Sequence, residues 1–443
     1  MRGLRIPLSL LSVIAALSVS PTVAAMAAVP RAAQAATSAS ETAVALAIED
    51  EAGGALKRFY RTRGFRPLWA QSGTIGPEAE TLIGYLRTAR LDGLKPDSYD
   101  SDDLAEAIDK ARGGDPKAVA RAELDLSKAF AKYVRDQRRP GDARIAYADK
   151  DLKPGKLKPE QVLRAAAFPK SFEDYVADMG WMSDEYVSLR ALMARAVAQH
   201  LTDEEIDRLR LNMDRARVLP SPWTRHIVVD ASSGRLWYYE AGKQVGTMKV
   251  VVGAAKTQTP MLVGSIQWAI LDPYWNVPDY LARDSIAKKV LGGRSLATMH
   301  IEALSDWSAS AHPVPASAID WHAVADGEET IRLRQLPGPY NSMGKVKFVF
   351  PNDDGIYLHD TPERELLAKS DRHFSNGCIR LEKASQLGRW LLGRSIVNRS
   401  GKPEHAVPLP VPVPVYLTYI TATATKTGVA FRPDVYGRDA KAG

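Results

Sequence analysis

The stretch Ser375-Asn376-Gly377-Cys378-Ile379-Arg380-Leu381 holds the single cysteine of a 443-residue chain, directly after a glycine. A thiol acts as a nucleophile only as its thiolate, and an imidazole of ordinary pKa about 6.5 is the usual base that forms it. Of the eight histidines, His359 and His373 lie closest upstream of Cys378. Spacing alone does not choose between them. Local position does: His359 ends the alternating run "GIYLHD", where a strand would hold it rigidly, whereas His373 sits in the charged stretch "DRHFSNGC", the setting of a solvated loop histidine. Gly377 lets a substrate approach the backbone, and the amides around Gly377 and Cys378 are placed to bind a developing oxyanion. These residues point to covalent acyl transfer through Cys378 with His359 as base. The bland alternative is a small buried cysteine without chemistry.

The N-terminus bears on the same question. Arg2 and Arg5 precede an apolar run over 6–19, followed by small-residue sites at Val23-Ala24-Ala25 and Ala33-Gln34-Ala35. This is the layout of a secretory signal peptide, and the run is short for a membrane span of about 20 residues. Residues 1–36 are therefore read as signal peptide and linker, with Ala27 to Ser40 disordered or removed, and the mature chain as exported. A lone cysteine in an oxidising compartment has no disulfide partner in its own chain, which favours a reactive thiol. The net charge of +7 suits anionic surroundings such as cell-envelope polymers. Basic residues are interspersed with acids and no nucleic-acid motif is present, so nucleic acid is not an expected partner. The histidines lack ligand spacing and one cysteine cannot build a thiolate zinc site, so no metal and no cofactor are expected.

The elements that must position this chemistry change character along the chain. From about 41 to 217, apolar residues recur at helical spacing, as in Leu82, Tyr85, Leu86 and Ala89, with breaks at Gly113-Gly114-Asp115-Pro116 and Lys153-Pro154-Gly155. After Leu219-Pro220-Ser221-Pro222 the texture becomes that of strands. The runs 226–230, 235–240 and 246–253 predict two consecutive hairpins, and further strands are expected at 265–271, 345–350, 355–359 and 415–423. A Ser/Ala-rich stretch, about 279–326, interrupts them and reads as an inserted helical lid. The expected fold is α+β: a mostly helical domain over 41–217, a mostly antiparallel β domain over 223–425 carrying the lid, and a C-terminal tail over 426–443.

"GIYLHDTP" followed by "HFSNGCIRL" resembles the catalytic motif of the L,D-transpeptidases, the YkuD domain family. The resemblance places the family's base on His359, its nucleophile on Cys378, and the carbonyl that orients the imidazole on Asp360. Ser375, Gly377 and Arg380 match the signature, whereas Asn376 stands where many relatives carry a histidine. "FYRTRGFRPLWAQSG" and "LDGLKPDSY" are similar to the helical scaffold of the large periplasmic members, and the catalytic part implies a YkuD-like sandwich. No peptidoglycan-binding repeat is evident over 171–217. The resemblance implies periplasmic 3→3 cross-linking of peptidoglycan stem peptides, acylation by carbapenem-type inhibitors, and other cell-wall proteins as partners. An L,D-carboxypeptidase with water as acceptor, or a non-catalytic wall-binding scaffold, are the alternatives. Trp275 and Asn276 are candidates for the donor groove or for packing. Tyr357 is a candidate for the cleft, and Arg380 for a substrate carboxylate or for bracing the cysteine loop.

Overall fold

The computed structural model describes residues 31–440 apart from 142, 309 and 427. The charged and apolar parts of the signal-peptide reading, residues 1–30, lie outside the described residues. A helix occupies Arg31–Glu51, so the expectation of disorder up to Ser40 is corrected. Alanine-rich sequence has high helix propensity, and Val44 and Ile48, one turn apart, anchor this helix in the core with no exposed surface.

The helical half is organised around the long helix Pro116–Gln137, which starts with proline at its first position and is capped by Asp115 accepting from the Ala118 amide at 2.9 Å. Phe130 and Tyr133 on its buried face meet Trp69, Tyr99 and Trp181 edge to face. Glu123, fully buried on the same helix, accepts from the Leu68, Trp69 and Ala70 amides at 2.6–2.9 Å and from the Tyr60 hydroxyl at 2.5 Å. A buried carboxylate is tolerated only with such donors. It fixes the 68–70 segment on the central helix. Helices Asp184–Ala198 and Asp203–Arg217 complete this half.

The expected hairpins are present: His226–Asp230, Arg235–Glu240 and Lys243–Gly253 pair antiparallel in succession. They continue through His405–Thr418, Leu262–Leu271, Val346–Val349, Leu358–His359 and Ile379–Leu381, which pairs back onto Lys243–Gly253. The sheet therefore closes on itself, and the two faces of the expected sandwich belong to one continuous sheet. Its strands are antiparallel except for two pairs, His226–Asp230 with His405–Thr418 and Leu358–His359 with Ile379–Leu381, and two short strands that join in parallel, Ala146–Tyr147 on Leu262–Leu271 and His373–Ser375 on Lys243–Gly253. Alternation sorts the side chains. Ile227, Val229, Leu236 and Tyr238 fill the interior of the closed sheet, while Val228, Tyr239, Val263 and Tyr416 join the core of the helical half. The two halves thus share apolar surface.

The insertion differs from its expectation. It contains helical segments, Asp279–Leu281 running through a widened π-type turn at Ala282–Ala287 into Lys288–Leu291, and a second helix at Trp321–Asp326. It also contains a four-stranded antiparallel sheet of Trp275–Val277, Arg332–Gln335, Ile301–Leu304 and Pro313–Val314. Its strands are two to four residues long, too short for alternation to stand out from the Ser/Ala-rich surroundings. Val277, Ile286, Ile301, Trp321 and Leu333 give it a core of its own. No helix among the described residues is long and apolar enough to cross a membrane.

Candidate active site

The strands Leu358–His359 and Ile379–Leu381 run parallel, with Leu358 opposite Ile379 and His359 opposite Arg380. Leu358 and Ile379 are fully buried in the sheet interior. Since successive side chains alternate, Tyr357, His359, Cys378 and Arg380 all take the opposite face, and this register puts Tyr357 directly beside Cys378. All four line one cleft of about 1020 Å³ between the sheet and the insertion. The sequence-predicted nucleophile and base are brought together by two adjacent strands.

His359 is 2 % exposed, and its Nδ1 lies 2.6 Å from the Asp360 carbonyl. A carbonyl only accepts, so Nδ1 carries the proton and Nε2 is left as the basic nitrogen. Burial pushes the imidazole down to about 3, with the Arg380 and Lys347 charges adding to it and the carbonyl bond opposing. Asp360 is fixed in turn: its amide donates to Val346 at 2.9 Å, and its carboxylate accepts from the Lys345 amide at 3.0 Å and from Arg364 at 2.6 Å. Burial pushes the Cys378 thiol up from its ordinary value, and hydrogen bonds from the Tyr357 amide and hydroxyl, with the Arg380 charge, work against it. The resting site is a neutral thiol beside a neutral imidazole. The thiol also lies 3.6 Å from the Gly355 carbonyl.

The nucleophile loop is folded by its own residues. Ser375 is 1 % exposed; its hydroxyl donates to the Cys378 carbonyl at 2.6 Å and accepts from the Gly377 amide at 3.2 Å. The Ser375 hydroxyl is therefore spent inside the loop, as is the Gly377 amide. The Cys378 amide, which donates to no protein acceptor among the described residues, is the donor left for an oxyanion. Gly377 has φ +108, a conformation side chains rarely adopt, and a Cβ there would meet Ile356 Cδ1 at 3.1 Å. Asn376 is exposed at the cleft. Arg380 pairs with Glu363, so bracing is its visible contact.

Trp275 lines the cleft from the insertion's edge strand, whereas Asn276, exposed and opposite Arg334, lies on the other face and is not brought to the cleft. His373 is no solvated loop residue. Its strand His373–Ser375 pairs with Lys243–Gly253, its side chain is 9 % exposed, Nδ1 lies 2.6 Å from Asp371, and the ring meets Tyr436 edge on at 5.4 Å. It is absent from the cleft wall. Sequence reasoning missed Glu363 and, from the insertion, Tyr280, Lys289 and Arg294, which line the cleft. Burial pushes the Tyr280 hydroxyl up from its ordinary value, and the thiolate form of Cys378 adds to this. Its place in "VPDYLAR" carries no local signal of this. Among the described residues no cluster of three His, Cys, Asp or Glu is arranged to hold a metal.

A family model described as the L,D-transpeptidase catalytic domain, YkuD, matches residues 224–413, and one described as a scaffold domain matches 54–193. The chain carries an L,D-transpeptidase catalytic domain behind a scaffold domain. A Haemophilus influenzae protein named "Putative L,D-transpeptidase" is 24 % identical over 394 residues, covering 87 % of this chain and 78 % of its own. Solved structures with similarity include an L,D-transpeptidase from Mycobacterium smegmatis, at 13 % identity and TM-score 0.22, covering 44 % of this chain and 58 % of its own. Another, titled an Ldtfm–avibactam carbamoyl enzyme, has 14 % identity and TM-score 0.22 over 46 % of this chain and 51 % of its own. The match thus spans little more than half the length of these solved relatives.

Proposed function

We propose that this protein is an exported peptidoglycan L,D-transpeptidase that forms 3→3 cross-links. One observation carries the reading: an imidazole locked by Asp360 to present Nε2 shares one cleft face with a partly exposed thiol. Cys378 Sγ attacks the carbonyl joining the L-centre of diaminopimelate to the terminal D-Ala of a tetrapeptide stem. Its proton passes to His359 Nε2 as the S–C bond forms, and the Cys378 amide faces the oxyanion. Collapse breaks the C–N bond, and His359 returns the proton to the departing D-Ala amine. The side-chain amine of a second stem then attacks the thioester, giving up a proton to His359; the C–S bond breaks and the thiolate recovers that proton. Burial keeps His359 neutral, with Nε2 open to a proton, and also makes it a weaker base, so the proton moves only as the S–C bond forms.

Water in place of the second amine would make the enzyme an L,D-carboxypeptidase. The charged N-terminal arginines and the apolar run after them support export to the periplasm, and Lys289 and Arg294 on the cleft wall suit the carboxylates of stem peptides. Intact-protein mass spectrometry with a carbapenem, beside Cys378→Ala and His359→Ala, tests the nucleophile; purified disaccharide-tetrapeptide tests the reaction. An adduct that disappears with Cys378, together with a 3→3 dimer, is the expected result. Released D-Ala and tripeptide without dimer would establish the carboxypeptidase, and a folded protein that takes no adduct would favour the non-catalytic scaffold.

A further inference from the structure

The tail that follows the last strands reads as a polar loop, "RPDVYGRDA", yet its residues are drawn into the molecule between the helix Asp203–Arg217 and the loop that supports the nucleophile. Tyr436 is 6 % exposed, and its hydroxyl donates to the Gly253 carbonyl at 2.6 Å. Its ring stacks on Tyr419 at 4.9 Å and receives His373 edge on. Arg438 donates to Gln258 Oε1 at 2.9 Å and to the Thr259 carbonyl at 3.0 Å, and Gln258 returns a hydrogen bond to the Tyr436 carbonyl at 3.1 Å. The tail therefore holds residues 253–259 from three directions.

Those residues hold the nucleophile loop. Thr259 Oγ1 donates to the Gly377 carbonyl at 2.8 Å, Thr257 Oγ1 to the Ser375 carbonyl at 2.9 Å, and the Ala254 amide to the same carbonyl at 2.8 Å. No slack is left in this packing, because even a Cβ on Gly253 would stand 2.1 Å from the Thr257 carbonyl. At its other end the tail is fastened to the helix Asp203–Arg217. Asp439 accepts from Arg208 and Arg215, each at 2.6 Å, and from Thr421 at 2.5 Å; Arg215 also donates to the Arg438 carbonyl. Side chains of Asp439 and Arg215 are 5 % and 3 % exposed, so these pairs are sheltered from salt and water. Asp434 shapes the turn between, accepting from the Arg438 and Asp439 amides at 2.9 and 2.8 Å.

We propose that residues 434–439 form a positioning strap, gripped by the helix Asp203–Arg217 through Arg208 and Arg215, that sets the Cys378 loop for attack through Arg438 and Tyr436. Neither residue touches the reacting atoms; each acts through 253–259. The helical half would then serve the chemistry by fixing one loop of the catalytic half. The proposal rests on Cys378 being the working thiol, and the test separates the two. Iodoacetamide alkylation of Cys378 against pH, kcat and KM on disaccharide-tetrapeptide, and thermal unfolding are measured for the full mature chain and for Arg438→Ala, Arg438→Lys, Tyr436→Phe and Asp439→Asn.

A displacement of the nucleophile by a fraction of an ångström to 1 Å costs roughly 10- to 100-fold in rate. Arg438→Ala is expected to lower kcat by about tenfold or more with KM held within about twofold, and to move the alkylation midpoint; Arg438→Lys, which can still reach the Thr259 carbonyl, should recover part of the loss. If Arg438→Ala fails to fold, Gln258→Ala removes the same contact from the other side and is read in its place. Folded variants with unchanged kcat and unchanged alkylation profiles would overturn the strap. Should the wild-type protein fail to process the tetrapeptide, the proposed reaction falls while the alkylation midpoints still decide the strap.

Discussion

Replacing Tyr357 by phenylalanine isolates one force on the nucleophile. The parallel register sets Tyr357 beside Cys378, and its hydroxyl favours the thiolate against the burial that opposes it. A hydrogen bond to a charged acceptor contributes about 1.5–3 kcal/mol, and one pKa unit corresponds to about 1.4 kcal/mol. Loss of the hydroxyl is therefore expected to raise the thiol pKa further. At pH 7 the thiol already lies below its midpoint, since burial holds it above its ordinary value of 9.0. The thiolate fraction, and with it the rate of alkylation by iodoacetamide, should fall roughly 10- to 100-fold. The ring itself remains, meeting His359 at 5.8 Å, and the buried neighbour Leu358 is untouched, so thermal stability should change little. Alkylation profiles of Tyr357→Phe and wild type that superimpose from pH 6 to 10, in a variant with wild-type stability, would refute the assignment of this hydroxyl to the thiolate.

Other outcomes can be stated from the same geometry. His359→Gln keeps the side-chain volume and removes the base; carbapenem acylation measured by mass spectrometry should slow by roughly 10²–10⁴-fold. Gly377→Ala forces φ +108 on a residue with a Cβ and presses that Cβ on Ile356, so urea unfolding should show a loss of about 1–3 kcal/mol alongside slower acylation. Glu185, on the scaffold helix Asp184–Ala198, accepts from Tyr239 of the sheet at 2.9 Å, and burial pushes its carboxyl up to about 7 from 4.5. The folded state then binds the extra proton, so this stabilisation is full below pH 4.5 and is lost as pH rises through 7, with a ceiling of about 3 kcal/mol. Stability of wild type relative to Glu185→Gln, from urea unfolding across pH 4.5 to 8.5, should decline with rising pH; a flat difference would contradict it.

What the sequence disclosed depended on whether the governing interaction was local. Cys378 stood out because the chain has no other thiol, and His359 because an alternating run delivered it to a strand end; both are properties of a few consecutive residues. The hairpins from His226 to Gly253 were legible for the same reason, being long, β-branched and punctuated by turns. Tyr357 was different. Alternation states that it shares a face with His359, but period two is silent on which face is interior, and only the burial of Leu358 against Ile379 settles that choice. The same rule, applied to an edge strand of three residues, separated Trp275 from Asn276 and sent only the first to the cleft. His373 was misread because its shelter comes from Tyr436, 63 positions away and on the tail.

That tail marks where local reading ends. Its sequence holds Asp, Gly, Pro and Arg in the proportions of a solvated loop, and by turn chemistry alone the residues 434–439 are a turn. Their burial depends on Arg208 and Arg215, more than two hundred residues upstream, which meet Asp439 where the helical half packs on the sheet. An unpaired carboxylate so sheltered would cost far more than a solvated one. The tail, the helix Asp203–Arg217 and the loop behind Cys378 are thus joined in one set of hydrogen bonds. A motif search finds the nucleophile but not this support, because the residues that fix the Gly377 carbonyl carry no signature of their own and acquire their function from the closing of the chain upon itself.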